Sequence, residues 1–227
     1  MPYKRILVIG DMHGNFDRLL SVFRKVRFNN AEDFLILLGD YVDRGPENMR
    51  CLRWAMEMSE KENVVALRGN HEEMLLAYYL AENIAEFWLP NGVNKTIREL
   101  EEWQKKEPDA LKRVLTFIAK RPYYHKMTIN GEEFIFCHAG IRPGLPFDEQ
   151  TTEDLLWIRE EFYNHYDGKA KFFVGHTPIQ YFSGMSTLNV KPLKLSNNIT
   201  LMDTGSFLPN GHISCMDVLS GQIWQSD

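Results

Sequence analysis

Five short apolar runs in this chain each end on a side chain able to bind a metal ion: RILVIG at Asp11, FLILLG at Asp40, VVALRG at Asn70, FIFC at His138 and FFVG at His176. A strand that delivers a carboxylate, amide or imidazole at its C-terminal end is how an α/β sheet gathers distant residues into one crevice. In GDMHG, Asp11 and His13 stand two apart, so both can face one cation, with Gly10 and Gly14 allowing the backbone to turn. In GDYVDRG the two oxygens of Asp40 could bridge two cations held ~3.5–4 Å apart. GNHE offers Asn70, a neutral oxygen that keeps a second cation a strong Lewis acid, and His71 beside it. Alone, each of these residues reads as easily as a surface turn or a satisfied core histidine. Together, Asp11, His13, Asp40, Asn70, His138 and His176 make a nitrogen and oxygen set suited to two borderline divalent cations: manganese, with iron or zinc as alternatives.

The elements needed to place them can be read from the spacing. After the first run, Phe16, Leu19, Leu20, Phe23 and Val26 recur at helical steps, and Met49, Leu52, Ala55, Met56 and Met58 repeat the theme between the second and third runs. Two such crossovers require parallel strands. From Glu72 to about Lys120 the chain reads as a helical cap, interrupted at LPNG (89–92) and resuming after Pro108, a residue suited to a first helical turn. The last third alternates, with polar turns at 166–169 and a hairpin turn at Ser220 and Gly221. A loop is expected over roughly 180–198.

Composition sets wider bounds. At 227 residues, with 44% hydrophobic residues and no linker or repeat, one domain spanning 1–227 is expected. A net charge of −5 gives no general case for nucleic acid or an anionic membrane. The N-terminal apolar run is too short for a signal peptide, and no stretch has the length of a membrane span. Three widely spaced cysteines, Cys51, Cys137 and Cys215, read as buried free thiols of a cytoplasmic protein.

Taken in order, GDMHG, GDYVDRG, GNHE, HAG and GHTP resemble the phosphoprotein phosphatase family of metallophosphoesterases. NGVNKT, LLWIREEF, KPLK and MDTGSF resemble its compact bacterial and bacteriophage serine/threonine branch. The resemblance implies an α/β fold, a two-sheet β-sandwich flanked by helices with the metals at one sheet edge. It implies one metal held by Asp11, His13 and Asp40 and a second by Asp40, Asn70, His138 and His176. A water activated between the two cations would then attack phosphorus in line. Arg44 and Arg159 could clamp the phosphate with planar forked donors, the second brought to the site by the resemblance alone. His71 could reach the leaving oxygen, and the resemblance pairs it with Asp43, making it the general acid. Tyr41, Trp157 and Phe207 could line the mouth; His125, His165 and His212 have no assigned role.

The expected activity is hydrolysis of a phosphomonoester on a phosphorylated protein, or on a small phosphoester. A symmetrical dinucleoside polyphosphate hydrolase is the alternative. Members of that sister branch resemble GNHD at the third motif, so Glu72 leans toward phosphoprotein. A non-enzymatic metal-binding scaffold is the third reading, and the complete ligand set argues against it.

Overall fold

The computed structural model describes residues 3–80, 92–182 and 187–227. Two five-stranded sheets face each other. The first has the order β10-β9-β1-β2-β3, built from β1 (Arg5–Ile9), β2 (Asp33–Leu37), β3 (Val64–Ala66), β9 (Ser214–Asp217) and β10 (Ile223–Gln225). The second has the order β4-β5-β6-β8-β7, from β4 (Tyr124–Ile129), β5 (Glu132–Cys137), β6 (Lys171–Val174), β7 (Leu193–Lys194) and β8 (Ile199–Leu201). The strands β1, β2 and β3 are parallel, as the two helical crossovers demand, and β5, β6 and β8 are parallel in the other sheet.

Period-two alternation explains both faces of each sheet. Ile6 and Val8 of β1, Phe34 and Ile36 of β2, Phe134 and Phe136 of β5 and Phe173 of β6 point inward and form the core between the sheets. Their neighbours Leu7, Ile9, Leu35 and Leu37 point outward, under α1 (Phe16–Val26) and α2 (Asn48–Met58). On the far side, Ile135, Cys137, Phe172 and Val174 are covered by α6 (Thr152–Trp157) and α7 (Glu160–His165). With both faces of these strands covered, they read as continuous apolar runs.

Three helices supply the cap: α3 (Asn70–Tyr79), α4 (Val93–Lys106) and α5 (Ala110–Ala119). They are more than a lid, since Leu100, Trp103, Val114 and Ile118 join the same core as α1 and α2. Pro108 lies two residues ahead of the α5 start rather than in its first turn. The expected interruption at LPNG lies outside the described residues except for Gly92, whose φ of 86° precedes α4. The expected loop over 180–198 lies outside the described residues at 183–186, and its later part carries the two-residue strand β7, held antiparallel to β8. The Ser220 and Gly221 turn joins β9 to β10 as an antiparallel hairpin. All three cysteines are buried and unpaired. Among the described residues no helix is long and apolar enough to cross a membrane.

Candidate active site

Five loops meet where both sheets present the carboxyl ends of their parallel strands, and backbone bonds fasten them together. Met12 and His13 donate their N–H groups to the Asp40 carbonyl (3.0 and 2.9 Å), joining the loops after β1 and β2. Gly175 N–H donates to the His138 carbonyl (2.8 Å), joining the loops after β6 and β5. His176 N–H donates to Asp11 Oδ2 (2.9 Å), closing the circle from last loop to first. A Cβ on Gly175 would lie 2.0 Å from Asp11 Oδ1, so only glycine permits that approach.

Asp40 stands at the centre. Its Oδ1 lies 3.4 Å from His138 Nε2 and its Oδ2 3.5 Å from His13 Nε2, so the two oxygens of one carboxylate face two different imidazoles. Asn70 Oδ1 sits 2.8 Å from His138 Nε2 and 3.1 Å from His176 Nδ1. On the opposite side of Asp40, His71 turns Nε2 toward Asp40 Oδ2 (3.9 Å), while its Nδ1 lies 2.6 Å from Asp43 Oδ2. Asp43 Oδ1 in turn accepts the hydroxyl proton of Thr96 on α4. Two tight groups of donor atoms result: His13, Asp40 and His71, and Asp40, His138 and His176, all buried. Asp11 belongs to neither group, its oxygens accepting the N–H of His176.

The backbone is strained where these side chains are aimed. His13, Asp40, Asp43, Arg44 and His176 have φ of 44°, 53°, 69°, 68° and 68°. Elsewhere among the described non-glycine residues, positive φ falls on asparagines and on Arg27, the C-cap of α1. Left-handed aspartate, histidine and arginine cost free energy that persists only when surrounding contacts impose the conformation, and such residues concentrate at functional sites.

The sequence profile of the calcineurin-like phosphoesterases matches residues 4–203, which takes in all five loops. The chain belongs to this family. Serine/threonine-protein phosphatase 1 of Salmonella typhimurium is 31% identical over 185 residues, covering 78% of this chain and 81% of its own length. A Bacillus cereus protein named as an asymmetrical bis(5'-nucleosyl)-tetraphosphatase, PrpE, is 26% identical over 225 residues, covering 88% and 85%. A crystal structure of a proposed diadenosine tetraphosphatase superposes with a TM-score of 0.68 at 19% identity, covering 97% of this chain and 92% of the other, which supports the shared fold.

Members of this family use divalent metals, and the donor atoms of this phosphoesterase fit such ions. His13 Nδ1 lies 3.0 Å from the Val42 carbonyl and His138 Nδ1 lies 2.9 Å from the Leu38 carbonyl. Each ring nitrogen facing a carbonyl must carry the proton, which leaves a lone pair on Nε2 aimed into the cluster. At His138, Nε2 meets the oxygens of Asn70 and Asp40; burial opposes protonation there, but the Asp40 charge and hydrogen bond raise the imidazole above its usual range, so a proton balances these acceptors where a metal ion would otherwise do so. Electrostatics agree. Burial, reinforced by Asp203 and Asp40, pushes the Asp11 carboxyl well up, the mark of carboxylates crowded without countercharge. Burial also holds His13 and His176 well below the usual histidine range, aided by Arg44 beside the first and His138 beside the second, so both are neutral and competent to ligate. Although burial opposes its ionisation, Asp40 is held well down by His138 and His71.

The arginines flank this cluster. Arg44 NH1 reaches His13 Nε2 (2.8 Å), and its guanidinium lies over the Phe207 ring at 4.3 Å. Arg159 donates to Thr177 Oγ1 (2.6 Å), one residue beyond His176. Both are exposed. Trp157 stands edge-on to His176 and Phe207 edge-on to His13, so both border the site. Tyr41 does not: it is fully buried, with its hydroxyl donated to the Leu67 carbonyl (2.6 Å). His125 stacks on Phe34, while His165 and His212 bond backbone carbonyls outside the cluster.

Three roles emerge from the structure alone. Glu72 is fully buried and accepts the N–H groups of Asp40, Tyr41 and Gly69 (2.8, 2.8 and 3.0 Å), tying the loop after β2 to the start of α3. Burial and the Asp40 charge push its carboxyl up to about 8, while the backbone donors pull the other way. Thr96 holds Asp43, as above. Asp203 is fully buried, with Oδ1 on Gly205 N–H (2.8 Å) and Oδ2 without a described partner. Burial lifts Asp203 to about 6. MDTGSF and NGVNKT carry two of these residues, but no spacing marks either as part of a site.

Proposed function

We propose that this phosphoesterase is a serine/threonine protein phosphatase, with residues 1–227 acting as one catalytic unit to which both sheets contribute loops. The observation that carries the reading is the arrangement around Asp40. The exposed guanidinium of Arg44 lies beside His13 and that of Arg159 beside His176, on the two sides of the buried cluster, with the His71–Asp43 pair next to it. That frame suits a compact terminal phosphate presented from outside. The relative at 31% identity, named a serine/threonine-protein phosphatase, supports the same substrate class.

Asp11, His13 and Asp40 would hold one divalent cation and Asp40, Asn70, His138 and His176 the other, manganese being the first to test and iron or zinc the alternatives. Such a pair supplies Lewis acidity to the phosphoryl oxygens and activates water at neutral pH. The protein supplies the remainder. Arg44 and Arg159 orient and neutralise the phosphoryl oxygens with paired N–H donors. His71, its Nδ1–H fixed on Asp43 and Asp43 fixed by Thr96, delivers a proton from Nε2 to the departing serine or threonine oxygen. The three buried thiols suit a reducing cytoplasm.

A dinucleoside polyphosphate hydrolase is the second reading, supported by the relative at 26% identity. Glu72 does not decide between them by contact. It lies beneath the loops, so its influence on substrate is confined to loop spacing. The deciding experiment compares kcat/KM on phosphoserine and phosphothreonine peptides and on a dinucleoside tetraphosphate under one metal condition. Phosphopeptides are expected to be favoured, and Arg159→Ala should reduce their kcat/KM by about 1.5–3 kcal/mol, the usual contribution of a charge-assisted hydrogen bond. A preference of about a hundredfold for the dinucleotide, some 2.7 kcal/mol in transition-state binding, would overturn the assignment.

A further inference from the structure

An open groove of about 670 Å³ runs between α2 and α4, walled by Arg50 and Arg53 on one side and by Lys95, Arg98 and Lys106 on the other. Spacing places them there. Arg50 and Arg53 are one turn apart, and positions 95, 98, 102 and 106 share one face of α4. Two carboxylates also border the groove, and both are engaged. Glu99 accepts the Met49 N–H (2.9 Å) and the Asn48 amide (3.3 Å), and Glu102 pairs with Lys105. Arg50 is paired with Glu47, and Arg53 lies 4.7 Å over the Trp103 ring. Lys95, Arg98 and Lys106 are exposed and form no ion pair among the described residues. In a chain of net charge −5, this is a local excess of positive charge.

The groove has a direction. At one end lies Gly92, where a Cβ would sit 2.8 Å from the Arg44 backbone nitrogen, so that end of the groove adjoins the loop that carries Arg44. Toward the other end, past Arg53 and Trp103, Glu57, Glu60 and Glu107 line the wall together with Arg113, which pairs with Glu107. The excess of positive charge between α2 and α4 therefore gives way to mixed charge.

We propose that this groove receives the acidic segment of a protein substrate, holding carboxylates or additional phosphates that neighbour the phosphoresidue undergoing hydrolysis. The proposal rests on the protein phosphatase reading and deepens it. From Gly92 to Arg98 the helix rises ~9 Å, and to Glu102 ~15 Å, at about 1.5 Å per residue. An extended peptide advances ~3.3 Å per residue, so counted from the Gly92 end the groove accommodates about three to five residues of the segment flanking the phosphoresidue.

The test uses matched phosphothreonine peptides with glutamates or alanines at those positions, on either side, assayed at about 50 and about 200 mM salt across a range in which screening tightens. Acid-flanked peptides are expected to be favoured roughly tenfold, mainly through KM and less at the higher salt, as several exposed ion pairs would give. The double variant Arg50→Glu/Arg98→Glu should abolish that preference while leaving p-nitrophenyl phosphate turnover unchanged, which also reports that the protein is folded. No preference in the parent protein, or a preference that survives in the variant, overturns the groove. A variant effect confined to a dinucleoside tetraphosphate assigns the groove to a phosphate chain and also overturns the proposal. If phosphopeptides prove to be poor substrates altogether, the phosphatase reading fails separately. Anisotropy of a fluorescein-labelled, phosphate-free acidic peptide still reports on the groove, with binding expected for the parent and loss for the variant.

Discussion

Replacing Asp40 by asparagine should lower kcat by about 10³-fold or more, since a bound metal pair contributes several kcal/mol to transition-state stabilisation and this residue serves both halves of it. The structure shows why one atom matters so much. Oδ1 faces His138 at 3.4 Å and Oδ2 faces His13 at 3.5 Å. An asparagine keeps one oxygen and turns an NH₂ toward the other imidazole, replacing an acceptor by a donor and removing the buried negative charge. Backbone strain does not confuse the outcome, because φ at this position is 53° and asparagine tolerates the left-handed region well. The readout is metal per chain by elemental analysis, beside activity and Tm. A variant that folds normally and still holds both metals at the parent's rate would remove Asp40 from its shared role.

His71→Asn separates proton transfer from ligation. The loss expected is on the order of 10²- to 10⁴-fold in kcat on alkyl phosphates, the range for a missing general acid. Aryl phosphates such as p-nitrophenyl phosphate should suffer less, because their leaving oxygen needs little protonation. The experiment also resolves a real ambiguity in the geometry. His71 lies within one tight donor group with His13 and Asp40, yet its Nδ1 is committed to Asp43 at 2.6 Å. Retained metal with a substrate-dependent loss identifies the proton donor. Equal losses on both substrates together with depleted metal would identify a ligand instead.

The loops that build this site were legible in sequence because β topology imposes a simple rule: parallel strands deliver whatever follows them to one end of the sheet. Asp11, Asp40 and Asn70 follow β1, β2 and β3, and His138 and His176 follow β5 and β6, so five separate motifs report one location. The first two helices were equally clear, since apolar residues at helical steps have no other use beside a sheet. Tyr41 was harder to place. Next to a ligand motif it resembles a pocket residue, and only the long-range bond to the Leu67 carbonyl explains its burial. Thr96 and Asp203 illustrate the limit more sharply. Thr96 reaches Asp43 from α4 by a contact set by side-chain direction in the folded state, and Asp203 follows β8 by two residues, as Asp11 follows β1, but that strand is only three residues long and its apolar run too brief to stand out. Glu72 was visible as part of GNHE, but its work is to gather three backbone N–H groups beneath the loops, which is an accounting of buried donors that sequence does not display.

The most direct measurement is turnover of a phosphothreonine peptide by protein stripped of metal and then titrated with manganese. Negligible activity in the stripped protein is expected, with recovery that saturates as two ions per chain are bound. Undiminished turnover by rigorously metal-free protein would contradict metal-dependent hydrolysis at the Asp40 cluster.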